Sequence, residues 1–542
     1  MKKQNFLQGA LILVVASMIV KIFGAIFKIP LANIIGFEAM AYFNSAYGFY
    51  VIFYMISTAG IPVALSKMIS EAEAKENKTE VKKIFRVSYL LFFTLGAVGS
   101  LIMILFSKQY SSYVHLDGLH YSIIAISTTL FFMCVTSAYR GYFQGLKNMA
   151  PTAVSQVIGA SGKLFIGLLV AYIATINGAS PHMTAAYTLL GITTGSVGST
   201  VYLAIYKKIC DKKDKTPPVS PKTSSSHKAI LKKLLYIAVP ITLSATILSL
   251  TNTIDTTLMI RRLTDGGFIK EEATKIMGTY TSTAVPLNNL SPNLIYPFAI
   301  SVMPAITSMF VSGKKEEASS VITSTFRITS IISIPCSIGL SVFSKPIVSL
   351  LYTNDETITF NGKTILATEL AGEMLSVLAM SIFFISMVSV TSAVLQAYGQ
   401  ERKTIISTTI GILFKVLLNY ILIGNPQIGV YGAPIATLIC YMVIMLLNFC
   451  FIIKYTEYKI HIFEIVLKPL FSGASGIGIA LLAYNFIKDT SAKSSIMISI
   501  SLAVVLYFFF IFLVKGIKSE DVEMLPKGKK IAVILKKIKA IK

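Results

Sequence analysis

Tryptophan is absent from the 542 residues, and charge is scarce: 14% are Asp, Glu, Lys or Arg, against about 25% in soluble domains. With 54% apolar residues and a mean hydropathy of +0.71, that shortage excludes an ordinary soluble protein. Tyr and Phe must supply any interfacial aromatic belt. Cysteine is also sparse. Of Cys134, Cys210, Cys336, Cys440 and Cys450, all but Cys210 lie in apolar runs. An odd count without CxxC spacing supports neither a disulfide framework nor a metal site. The five histidines (His115, His120, His182, His227, His461) fall in loops or at span ends without ligand spacing. No GxxxxGK[ST] motif is present, so any driving force is an ion gradient, the membrane potential or consumption of the cargo. No cofactor is expected. Acids are outnumbered, 25 against 49 Lys and Arg, for a net charge of +24. Such a balance suits nucleic acid or an anionic membrane. Here the lysines sit in short loops and a tail beside apolar runs, and the signatures of nucleic-acid modules are missing.

What remains is a series of apolar runs, each long enough to cross ~30 Å of hydrocarbon as a helix. The reading is an all-α polytopic membrane protein with about fourteen spans. Six lie near 6–34, 40–66, 84–106, 121–143, 151–176 and 184–206. Six more lie near 234–260, 276–309, 321–343, 366–395, 404–423 and 430–453, and two follow near 469–487 and 494–514. The N-terminal MKKQNFLQGALILVVASMIVKIFG lacks a small-x-small cleavage site and reads as an uncleaved first span. An even count puts both termini on one side. With that side cytoplasmic, inside segments carry 34 Lys and Arg and outside loops 9, so both termini are expected to be cytoplasmic. The Pro-, Ser- and Lys-rich stretch 210–228 reads as a solvated linker. The organisation is thus a six-span lobe (1–206), a basic linker (207–233), a second lobe (234–453), two further spans (454–514) and a cytoplasmic basic tail (515–542), whose segment 527–542 is expected on the anionic inner leaflet.

The lobes look like repeats. Gln144, Thr152, Gly159 and Lys163 match Gln396, Thr404, Gly411 and Lys415 without a gap. Phe85-Arg86-Val87 matches Phe326-Arg327-Ile328, and Phe106-Ser107-Lys108 matches Phe343-Ser344-Lys345. Two six-span halves enter the membrane in the same orientation, the parallel-repeat plan of transporters whose cargo path lies between halves.

Six cations lie within spans: Lys21, Lys28, Arg86, Lys163, Arg327 and Lys415. Each is expensive there, by about 2.5–3.5 kcal/mol on insertion scales. Arg86, Arg327 and the neighbouring Arg140 are near span ends, where snorkelling competes with function; Arg140 reads as a topological anchor. Lys21, Lys28, Lys163 and Lys415 are deeper and are the candidate cavity cations. Asp255 is the clear intramembrane acid, with Glu369 and Glu373 near an outer span end. It is either satisfied within a bundle or binds H⁺ or Na⁺. Cations with few acids suit an anionic cargo such as phosphate. Prolines mark candidate gates: Pro62 in the second span, and Pro292 and Pro297, with Pro286 and Pro304, in the eighth.

The opening LQGALILVVASMIVKIFGAIFK, the segment IPVALSKMISEA (61–72) and RGYFQGLKNMAPTAVSQV (140–157) resemble the SpoVB/YtgP group of Gram-positive bacteria, within the MOP exporter superfamily beside MurJ flippases, Wzx flippases and MATE exporters. The resemblance implies fourteen spans, two six-helix lobes around a V-shaped cavity, and export of an undecaprenyl-pyrophosphate-linked sugar such as lipid II, for cell-wall or spore-cortex peptidoglycan. It implies cavity cations near the pyrophosphate, with Lys21 and Lys28 where relatives often have Arg. It also implies a cation site drawing on Asp255 and on the neighbourhood of Lys415, Asn419 and Thr437. Lys415 departs from that pattern: an ammonium repels Na⁺ and instead suits a tethered partner for Asp255. The expectation is a monomeric flippase of alternating access, not an enzyme. Alternatives are another lipid-linked oligosaccharide (teichoic acid or capsule), a MATE-like multidrug exporter, disfavoured by the span cations, and a membrane glycosyltransferase or polymerase, disfavoured by short outer loops without an acid pair.

Overall fold

The structure is a computed structural model; it describes residues 6–213, 225–360, 363–456, 458, 461–488 and 492–523. The expected surface tail (527–542) and residues 214–224 of the expected linker lie outside the described residues, while 207–213 and 227–233 are helical.

The first helix, α1 (Phe6–Thr58), has 53 residues, about 80 Å at 1.5 Å per residue. That is more than twice a hydrocarbon core. It breaks at Gly36, whose φ of 79° and ψ of 168° suit a residue without Cβ. The break separates the first two expected spans. The chain breaks again before α2 (Ile61–Ala74). There a Cβ on Gly60 would fall 2.2 Å from the Ala238 carbonyl oxygen, so only glycine permits the approach. Pro62 lies in the first turn of α2, where its missing N–H has no intrahelical acceptor. It starts a helix rather than kinking one.

Next come α3 (Lys78–Leu105), α4 (Ser107–Val114), α5 (Leu119–Gly145), α6 (Ala150–Ile176), α7 (Pro181–Lys213), α8 (His227–Asp265) and α9 (Lys270–Thr279). A π-helical turn over Tyr280–Ala284 leads to α10 (Val285–Asn288) and α11 (Leu290–Val311). The eighth span is therefore broken, as its prolines suggest. Pro292 opens α11 just past the break, and Pro297 and Pro304 lie inside it. The chain continues through α12 (Lys315–Val342), α13 (Ser344–Leu351) and a hairpin of β1 (Thr357–Phe360) with β2 (Lys363–Leu366), in which Thr357 pairs with Leu366. Last come α14 (Ala367–Leu378), α15 (Ser381–Ala397), α16 (Glu401–Ile423), α17 (Gly432–Thr456), α18 (Lys468–Ile487), α19 (Ala492–Leu513) and the short α20 (Ser519–Glu523).

Among the described residues, 11 helical stretches are long and apolar enough to span a membrane, and α14 with α15, bent by 46°, form one more. The 60-residue stretch Val15–Ala74 holds two spans, and α8 is itself 39 residues long. This is a polytopic all-α membrane protein with about fourteen spans. The sequence repeat has a structural counterpart: α3 and α12 each have 28 residues, α4 and α13 each have 8, and Phe106 and Phe343 stand at the equivalent junctions.

The chain forms two compact units: Met1–Thr264 with Phe268–Ser282, and Asp265–Gly267 with Thr283–Lys542. Helices α8 and α9 thus group with the first unit, whereas the sequence boundaries put them in the second lobe. Close approaches account for this. A Cβ on Gly48 would come within 2.9 Å of Thr256 Oγ1, and one on Gly278 within 1.8 Å of the Phe37 carbonyl oxygen. Lys233 bonds Glu71, and Tyr110 shares a hydroxyl bond with Thr257.

Without water to expel between lipid-facing helices, packing rests on small residues and interhelical hydrogen bonds. In the first unit a Cβ on Gly162 would lie 2.4 Å from Gly195 Cα, so α6 and α7 touch backbone to backbone. Thr129 meets Thr193, and Thr136 meets Thr200, each at 2.7 Å, joining α5 to α7 at a seven-residue repeat. In the second unit Gly411 admits Ile444 and the Cys440 carbonyl, closing α16 on α17.

Candidate cationic cavity in the first unit

The first half of α1 carries Lys21 and Lys28, seven residues apart and so on one helical face. Its second half carries Tyr47, Tyr50 and Tyr54. The glycine contact between α6 and α7 seats Lys163 against α1. Its ammonium lies 4.9 Å from the Phe27 ring centroid and 5.1 Å from that of Tyr47. Both rings present a negative face to it.

These elements enclose a cavity of about 510 Å³ lined by Lys21, Arg140 and Lys163, with the three tyrosines, Gln156, Ser196 and Ser199 among the other walls. Among the described residues, no Asp or Glu lines it. The structure brings together Lys21 and Lys163, as expected from their depth, and adds Arg140. Arg140 is more than a turn inside the end of α5, and its Nε donates to Ser155 Oγ on α6 at 2.9 Å. The topological-anchor reading of Arg140 is therefore corrected: its guanidinium faces the cavity. Lys28 is not in the lining. Its Nζ stands 3.5 Å from Asn44 Oδ1 and 3.5 Å from the Thr281 carbonyl oxygen. Asn44 in turn donates to Thr281 Oγ1 and Ser282 Oγ at 3.1 and 2.9 Å. This polar knot ties α1 to the π-helical turn.

The other expected site residues are distributed. Asp255 is buried in α8, in the first unit. Lys415, Asn419 and Thr437 are buried in the second. Lys415 and Asn419 are one turn apart on α16, and Thr437 is on the adjoining α17. Lys415 is 1% exposed, while its repeat equivalent Lys163 opens to a cavity.

Arg327 is neither snorkelling nor facing cargo. It is 2% exposed and clamped by Asp521, whose Oδ2 accepts from Nε and Oδ1 from Nη2, both at 2.6 Å. Its Nη1 donates to Glu464 Oε2 at 3.1 Å. Lys518 completes the cluster, its Nζ 2.7 Å from Glu464 Oε2 and its backbone N–H 2.8 Å from Asp521 Oδ2. Two acids match two bases. Glu369 and Glu373 are likewise engaged, both by Lys345, and Tyr431 donates to Glu373 at 2.6 Å. The second unit also holds an apolar groove of about 620 Å³, with Ile331, Pro335, Phe343, Ile477, Tyr507 and Val522 among its walls.

Residues 6–310, more than half of the chain, match the family described as polysaccharide biosynthesis protein. The chain belongs to this family. A second family, MatE, matches residues 281–421. Relatives of this polysaccharide biosynthesis family member include the lipid II flippase MurJ of Bacillus subtilis (strain 168), 26% identical over 521 residues, covering 92% of this chain and 93% of that protein. Stage V sporulation protein B of the same organism is 25% identical over 475 residues, covering 86% and 87%. Among solved structures, an inward-facing MATE family multidrug transporter of the MOP superfamily superposes with a TM-score of 0.67 at 14% identity, covering 83% of this chain and 98% of that one. The lipid II flippase MurJ in an inward closed conformation gives 0.64 at 15% identity, covering 92% and 98%. The family member has the fold of the MOP superfamily, and the MurJ and MATE relatives are by name flippases and a transporter rather than enzymes.

Proposed function

We propose that this MurJ-related protein is a flippase for a lipid-linked saccharide pyrophosphate, with lipid II as the cargo, serving peptidoglycan synthesis in a cell wall or spore cortex. The observation that carries the reading is the first-unit cavity: three cations, no carboxylate in the lining, and an aromatic and hydroxyl-rich wall. Such a site favours a pyrophosphate through charge-assisted hydrogen bonds and disfavours an organic cation. That preference weighs against a MATE-like drug exporter, although the fold alone admits one. The apolar groove of the second unit, by itself, suits an alkyl chain.

In this reading Lys21, Arg140 and Lys163, which line the first-unit cavity, attract the anionic headgroup, and Lys28 adds positive charge from behind the lining; Lys415, buried in the second unit, serves the packing there. Pro62 and Pro292 stand just past the breaks at which α2 and α11 reorient during alternating access, and Pro297, inside α11, is a further point at which that helix can bend. Both termini are cytoplasmic, by the distribution of Lys and Arg, and the protein works as a monomer. Coupling to H⁺ or Na⁺ runs through Asp255 in the first unit or through Asn419 and Thr437 in the second, or the membrane potential alone drives the cycle. A steep rise of transport with Na⁺ at fixed potential would select the Na⁺ route.

The deciding experiment is depletion of the protein in cells lacking related flippases, with an assay for lipid II exposed at the outer face. Loss of exposure supports lipid II as cargo. Undiminished exposure removes lipid II and shifts the assignment to teichoic-acid or capsule precursors.

A further inference from the structure

The tyrosines of α1 make a continuous aromatic ledge. Phe43, Tyr47, Tyr50 and Tyr54 follow one another at helical spacings of four, three and four, which puts them on one face. Phe43 and Tyr47 are stacked, with centroids 6.1 Å apart and planes 5° apart. Tyr47 and Tyr50 are 5.6 Å apart, and Tyr50 stacks on Tyr54 at 5.5 Å with planes 24° apart. All three tyrosines line the cationic cavity. A greasy core would serve equally well with Leu or Phe here, so the hydroxyls call for a reason. Tyr50 is only 5% exposed, and what it and its neighbours present is presented to the cavity, where the polar groups of a ligand can pair with the phenols.

The ledge is flanked by cations. The ammonium of Lys163 lies over the Tyr47 ring, which shows that this face looks into the cavity. Arg140 stands beside Tyr50 and Tyr54. From Tyr47 to Tyr54 the helix rises ~10 Å, about the length of two linked pyranose rings. Pyranose C–H groups carry partial positive charge and rest on the negative face of an aromatic ring. Sugar hydroxyls can pair with the phenols and with the amide of Gln156 on the facing helix α6.

We propose that Tyr47, Tyr50 and Tyr54 form a saccharide-binding subsite, which selects the glycosylated form of a prenyl pyrophosphate over the bare lipid. The cations hold the pyrophosphate and the ledge reads the sugar. The inference rests on the flippase reading above and adds a division of labour to it.

The test uses the full-length purified protein and two probes: a short-chain prenyl pyrophosphate, and the same lipid carrying a pyrophosphate-linked disaccharide. Tyr50→Leu and Tyr54→Leu are expected to weaken the glycosylated probe about ten-fold and to leave the bare probe unchanged. Tyr50→Phe keeps the packing volume if the Leu variant does not fold, and isolates the hydroxyl, with a loss of about three-fold on the glycosylated probe alone. Because the chain has no tryptophan, Tyr54→Trp creates a single indole at the ledge, whose emission, excited to the red of the tyrosines, is expected to shift with the glycosylated probe and not with the bare one. Equal losses on both probes, or no loss on either, overturn the saccharide subsite. Equal affinity of the wild type for both probes overturns it too, while leaving the flippase reading in place. Binding of neither probe by the wild type overturns both.

Discussion

In the first unit Lys21, Arg140 and Lys163 face a cavity whose lining holds no carboxylate; in the second, Arg327 is enclosed by Asp521 and Glu464. The residue types are the same and the sequence contexts are similar, since all lie in or near apolar runs. What differs is what each cation faces. An enclosed ion pair is neutral and serves the fold. Cations that line a cavity whose described walls hold no carboxylate present positive charge to whatever enters it, and an anionic ligand answers that charge. The surface a cation faces separates the two roles better than its depth in the span does.

The strongest way to break this comparison is to remove a counter-ion from the second unit. Asp521→Ala leaves the Arg327 guanidinium buried with its main partner gone, and is expected to lower stability by about 3–5 kcal/mol, read as thermal unfolding in detergent. Replacing Arg327 and Asp521 together by Leu should recover most of that loss. A single-variant loss below about 1 kcal/mol would take away the structural reading of Arg327.

In the first unit the expectation reverses. Lys163→Gln is predicted to weaken a pyrophosphate-bearing ligand about 10- to 100-fold, the worth of one charge-assisted hydrogen bond. Thermal stability should be unchanged or slightly raised, because repulsion from Lys28 is relieved. A variant that loses stability and affinity together would place Lys163 with Arg327.

Gly195→Ala sharpens the comparison by moving a cation without altering its charge. The new Cβ would sit 2.6 Å from the Gly159 carbonyl oxygen and 3.1 Å from the Lys163 backbone nitrogen, forcing α6 away from α7. An overpacking loss of about 1–3 kcal/mol should accompany weaker ligand binding, measured in the same two assays.

The smallest effect is at Lys345, an exposed cation with acid partners. Its hydrogen bond to Glu373, supported by Glu369, raises its pKa above the ordinary 10.5. The folded-state value is raised, so the contribution is fully present below pH 10.5 and fades as pH climbs through the folded value. Stability of the Lys345→Met variant relative to wild type should therefore be flat from about pH 6 to 9, with a difference of at most about 1 kcal/mol.

Spans, the repeat and the deep lysines were legible in the sequence because hydropathy and insertion cost are local properties. The break beside Pro62 was legible as well, but the need for Gly60 was not, since the Ala238 carbonyl that demands glycine comes from a distant helix. Arg327 could not be read correctly from its own surroundings: Asp521 and Glu464 are 194 and 137 residues away in sequence. Arg140 was misread because proximity to a span end was taken for exposure, whereas α5 continues past it to Gly145. The tyrosine ledge was missed although its spacing is visible in FNSAYGFYVIFY; aromatic residues on a span face look like ordinary packing until a cavity is seen beside them.

The clamp on Arg327 also dictates how the end of this chain can be dissected. Shortening it after Glu523 deletes the lysine-rich stretch alone and reports on that stretch. A cut ahead of Lys518 strips an arginine in the second unit of its counter-ion. The resulting defect would masquerade as a tail phenotype, and an affinity handle fused too close to Asp521 carries the same hazard.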